Sequence, residues 1–171
     1  MTRCQRGFSL VEVMVALVVM SIGLLGIAKM QAAALSNTAI ASTRSLAAIE
    51  ASSLAASMHA NRGYWSSLAV AGSISLQGGT VAPNVAPLDD CAAKTCAPAS
   101  LAQYDLQQWT TAALQVLPPD YLATITCFPT DVPPNCTIQI QWAEKSVAVN
   151  TDGKAQSAGL NFPRYELYVE P

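Results

Sequence analysis

Residues 8–28 read FSLVEVMVALVVMSIGLLGIA, and this stretch decides how the rest of the 171-residue chain is organised. Sixteen of its twenty-one residues are Ala, Val, Ile, Leu, Met or Phe; the exceptions are Ser9, Glu12, Ser21, Gly23 and Gly26. Wound as a helix it is roughly 31 Å long, at about 1.5 Å per residue, close to the hydrocarbon thickness of a bilayer. The residues ahead of it, MTRCQRG, carry Arg3 and Arg6 and no acid. Those charges favour a cytoplasmic N-terminus and predict a single membrane pass. A cleaved secretory signal is the alternative, with Ala32-Ala33-Ala34 offering small residues to a signal peptidase. The run is longer than the usual core of roughly 7–15 residues, and it holds a carboxylate, Glu12. A charge within an apolar span costs about 3 kcal/mol or more and usually has a partner or a function. Cys4 stands before the run, the wrong side for a lipid-attachment cysteine.

Beyond this segment the composition excludes several classes. Apolar residues form 51% of the chain and charged ones 12%, too apolar for a disordered polyelectrolyte. The net charge is −2, and after residue 28 it is −3, seven basic residues against ten acidic. No surplus of cations exists to neutralise a phosphate backbone, so no nucleic-acid partner is expected.

All ten prolines fall at or after Pro83, so the helix can continue past the apolar run. Over 28–61 the periodicity places Leu35, Ile40, Leu46, Ile49, Leu54 and Met58 on one half of the circumference. Glu50 falls inside that arc and needs a polar neighbour, and Gly63 marks the exit. Residues 64–100 read as a long connection with a short strand near 74–76. Ser100 and Gln103 have capping-box spacing for a helix running to about Leu117, with Leu106, Trp109, Ala113, Val116 and Leu117 on one side. Alternation predicts strands at 121–128, 137–142 and 164–169, a short apolar stretch at 146–149 and a turn at Asp152-Gly153. The expected fold is α+β: a long N-terminal helix, half membrane-spanning and half amphipathic, packed against a small antiparallel sheet. Trp65, Trp109 and Trp142 are expected to pack in or at the edge of its core, and His59 to be solvated.

Four cysteines follow the span, and with the N-terminus cytoplasmic they lie where disulfides persist. They permit three pairings, of which the local ones, Cys91–Cys96 and Cys127–Cys136, are favoured. Each small loop contributes about 2–3 kcal/mol in the chain-entropy model. A zinc site competes, but it needs closer paired spacings, and the sole histidine sits on the long helix. Zinc-protease helix, phosphate-binding Gly loop and Gly-x-Ser-x-Gly elbow are all missing, so neither enzyme activity, metal nor cofactor is expected.

The sequence Gly7-Phe8-Ser9-Leu10-Val11-Glu12, preceded by basic residues and followed by the apolar run, resembles the class III signal of type IV prepilins and type II secretion pseudopilins. SIGLLGIAKMQAAAL (21–35), MHANRGYW (58–65), the Cys91/Cys96 spacing and YDLQQW (104–109) further resemble the PilV family of minor pilins. The resemblance implies a leader, residues 1–7, removed by prepilin peptidase after Gly7, and N-methylation of Phe8. It implies that Glu12 pairs with the N-terminal amine of a neighbouring subunit. It also implies an assembly half at 8–28, an amphipathic half at 29–62 and a periplasmic head at 63–171. Anchored in the inner membrane, such a protein meets the assembly platform, other minor pilins and the major pilin, and helps start or cap a fibre. A minor pseudopilin, a DNA-uptake pilin and a membrane-anchored periplasmic enzyme are the rivals.

Overall fold

The computed structural model describes residues 7, 9–67, 72–145 and 160–171. Arg3, Cys4, Arg6, Phe8, the stretch 146–149 and Asp152-Gly153 lie outside these described residues. The chain falls into two compact units, Met1–Ala39 and Ile40–Pro171.

The first unit contains most of the apolar part of α1, which runs from Leu10 to Ala60 without a proline to interrupt it. By length and composition this helix can cross a membrane. Its large side chains, from Leu10 through Met30, are exposed on every side. A helix apolar all round is stable only where something other than water surrounds it.

The second unit is an α+β fold. Residues 40–60 of α1 lead into a short turn of helix, α2 (Arg62–Trp65). Then come the hairpin β1 (Gly72–Gln77) and β2 (Thr80–Ala82), the helix α3 (Pro98–Val116), and strands β3 (Leu122–Phe128) and β4 (Asn135–Gln141). A two-stranded ribbon of β5 (Glu144–Lys145) and β6 (Leu160–Asn161) precedes the last strand, β7 (Arg164–Val169). The main sheet is antiparallel throughout, in the order β2-β1-β3-β4-β7. Its first hairpin turns on Gly78-Gly79, both at positive φ, a conformation that side chains with a Cβ resist.

Alternation along each strand sends one set of residues inward. Ile74 and Leu76, Ala123, Ile125 and Cys127, and Cys136, Ile138 and Ile140 meet in one buried face. The outward rows are polar: Ser73, Thr126, Thr137 and Tyr168 stand side by side in register. All three tryptophans are buried, and His59 is exposed. Tyr121, wholly buried, accepts or donates a hydrogen bond with Thr110 Oγ1 at 2.7 Å, lies 2.9 Å from the Thr110 carbonyl, and meets Trp109 edge to face. A buried phenol needs such a partner, because leaving its hydroxyl unsatisfied costs about 1–3 kcal/mol.

Four expectations are corrected by this packing. The seam that α1 buries is Ala47, Ala51, Leu54, Ala55 and Met58, whereas Leu35 and Ile49 are exposed. The buried face is narrower than hydropathy alone indicates, because burial falls only on the positions that neighbouring elements cover. Gly63 does not end helical structure; the chain breaks at Asn61 and winds again over Arg62–Trp65. The helix predicted from Ser100 starts at Pro98, with Ala97 as N-cap and no side-chain cap. Proline at the first position lacks the N–H that a cap would satisfy. Gln103 therefore does not cap; it is buried and accepts from Val85 N at 2.8 Å. Finally, Val116 is largely exposed, and the buried face of α3 runs through Ala102, Gln103, Leu106, Trp109, Thr110 and Ala113.

Two acids sit uneasily in this fold. Burial pushes the carboxyl groups of Glu50 and Asp105 above their ordinary values of 4.5 and 3.8. Glu50 has the polar surroundings expected for it, Ser53, Tyr104, Asp105 and Gln108, but its carboxylate makes no hydrogen bond or ion pair among the described residues. Below those ordinary values both states are protonated and stability is at its fullest. As pH rises the unfolded chain ionises first, so stability is lost until the raised native values are passed. Unfolding midpoints of the full chain in detergent, measured from about pH 3.5 to about pH 7, are therefore expected to fall more steeply for wild type than for E50Q/D105N. Parallel curves would show that neither group is desolvated in solution.

Candidate functional site

The candidate site is the start of α1. The backbone carbonyl of Ser9 accepts from Glu12 N at 3.1 Å and from Val13 N at 3.3 Å, which begins the helix. Glu12 consequently stands in the first turn, where the positive end of the helix dipole favours a negative charge by about 0.3–1 kcal/mol. The residue is exposed, and no hydrogen bond or ion pair to its carboxylate occurs among the described residues. Gly7 is exposed as well, and a Cβ placed on it meets nothing within 4 Å. Among the described residues nothing requires a glycine at position 7. Phe8, between them, is outside the described residues.

The cysteines are brought together in two local pairs. Cys91 and Cys96 are bonded on the connection before α3, and Cys127 and Cys136 across β3 and β4, where they are direct register partners. The second bridge ties the two strands together at the turn end of the hairpin, beside the loop that joins them, so the expected closure of an open end is corrected. Among the described residues no cluster of three His, Cys, Asp or Glu side chains could hold a metal ion.

A long N-terminal helix with an apolar first part, whose later residues pack with a five-stranded antiparallel sheet, defines a pilin-like α+β architecture. Residues 2–28 match the family model described as the prokaryotic N-terminal methylation motif. That match supports a type IV pilin-like prepilin, implies processing by prepilin peptidase, and points to a structural rather than catalytic family. Together with the apolar helix it is consistent with an anchor in the inner membrane. No curated protein and no solved structure matches the chain.

Asp105 carries no local sequence feature that marks it out. Its distinction arises only where α3 lies beside α1, and the same contact leaves Glu50 partly buried.

Proposed function

We propose that this protein is a minor pilin of the type IV pilus, similar to the PilV family. It waits in the inner membrane with its head in the periplasm, and with other minor pilins it starts or caps the fibre built from the major pilin on the assembly platform. Prepilin peptidase removes residues 1–7, Phe8 becomes the methylated first residue, and Glu12 pairs with the amine of a neighbouring subunit. The two disulfides brace the head outside the reducing cytoplasm.

The observation that carries this reading is a lone acid at the head of an apolar helix, four residues after Phe8 and inside the stretch that matches the methylation motif. A carboxylate in lipid or in a packed helical bundle is unfavourable unless it is neutralised or paired. Cleavage after Gly7 creates a cationic amine, so processing and assembly become coupled through one charge pair. Before cleavage neither the charge nor its position exists.

Intact-mass analysis of the cell-derived protein is expected to show a chain beginning at Phe8, bearing one methyl group, with the four head cysteines oxidised. Deleting the gene is expected to reduce pilus number while protein secretion stays normal. A chain that begins at Met1 or after Ala34 would end the prepilin reading. Lost secretion with normal piliation would transfer the protein to a type II secretion system.

A further inference from the structure

Between α1 and α3 the second unit holds a groove of about 410 Å³. Glu50 and Ser53 form one wall, Tyr104, Asp105 and Gln108 the other, and Trp109 lines it between them. The Trp109 indole N–H is already committed, donating to the Glu50 carbonyl at 2.9 Å, so the ring is fixed in place. Tyr104, Gln108 and both carboxylates have no hydrogen bond among the described residues.

This arrangement costs the isolated fold. Two carboxylates on adjacent helices are partly desolvated, and none of the ion pairs among the described residues includes either, those pairs being Arg44–Glu144, Lys94–Asp89 and Arg164–Glu166. Unpaired, partly buried charge lowers stability, and a cation supplied from outside the chain would offset that loss. The walls show what would answer it. Carboxylates accept charge-assisted hydrogen bonds from an ammonium or guanidinium, and an indole ring attracts the same cation electrostatically. Room for a long aliphatic stem and its charged head is present.

We infer that the groove between α1 and α3 is a docking site for a lysine or arginine side chain presented by a different protein subunit, held by Glu50 and Asp105 beside Trp109. The inference rests on the reading of this protein as a filament subunit. Charge complementarity selects the occupant: a second copy of this chain is itself net negative after residue 28, and the groove offers no geometry for a metal ion.

The test uses the full chain in cells carrying its filament system. Leader removal, recovery in sheared filaments and the unfolding midpoint in detergent are followed for wild type, E50Q/D105N and Q108K. Gln108 is exposed, so a lysine there leaves the fold intact while placing a cation within the groove. Both variants are expected to be processed normally and to unfold no earlier than wild type, yet to be recovered in filaments at about one-tenth of the wild-type level or less, the effect of losing a charge-assisted contact. Full recovery of either folded variant overturns the inference while leaving the minor-pilin reading standing. Absence of processed wild type from filaments overturns both. A wild-type dimer in detergent that E50Q/D105N abolishes, or a midpoint raised by magnesium or calcium chloride in wild type alone, replaces the proposed occupant and also overturns it.

Discussion

Replacing Gly7 with tryptophan is expected to leave the leader in place, so that the protein accumulates in the membrane with Met1 still attached. The neighbourhood of Gly7 is open, since even a Cβ there would touch nothing within 4 Å. The substitution therefore leaves the helix starting at Leu10 and the sheet of the second unit unaltered. On the proposed cleavage after Gly7, its effect falls on the peptidase, which must bring that bond into its catalytic site. Misplacing a reacting bond by about 1 Å can cost on the order of a hundredfold in rate, and an indole displaces the backbone by more than that. Intact mass or a gel shift of seven residues reads the result. Ordinary trimming of the variant would remove the assignment of Gly7.

On the proposed pairing of Glu12, Glu12→Leu is expected to separate processing from incorporation. Cleavage and methylation proceed, because residue 12 lies beyond the bond being cut and the variant span is more apolar than before. Incorporation into filaments falls, because the amine of a neighbouring subunit is left in an apolar environment with no counter-charge. Breaking a buried ion pair by removing one partner costs about 3–5 kcal/mol, so recovery in filaments is expected to drop by a factor of about a hundred or more. The head is expected to be unaffected, since Glu12 belongs to the first unit and its exposed carboxylate has no hydrogen bond or ion pair among the described residues. Undiminished recovery of processed E12L would contradict the pairing.

Both outcomes concern residues whose meaning is local. The apolar run after Ser9, the arginines before it and the acid within it can be read in order along the chain, because a bilayer acts on each short stretch without regard to distant residues. The strands at 122–128, 135–141 and 164–169 were legible for a similar reason, as alternation marks a half-buried strand whatever its partner. Local cysteine pairing followed from proximity along the chain, and Cys127 and Cys136 stand opposite each other across their hairpin.

The groove was not legible. Glu50 drew notice as an acid on an apolar arc, but Asp105 lies fifty-five residues away and looks like any helical aspartate. Likewise the arc on α1 included Ile49, whereas the structure buries the small residues Ala47, Ala51 and Ala55. By itself the sequence determined the membrane-length helix, its processing signal and the alternation of the sheet, since these depend on neighbours a few residues apart. Only the tertiary structure decided which face of each helix is buried and which two carboxylates share a groove. Close packing selects the surfaces that fit, and fit is a property of two surfaces together.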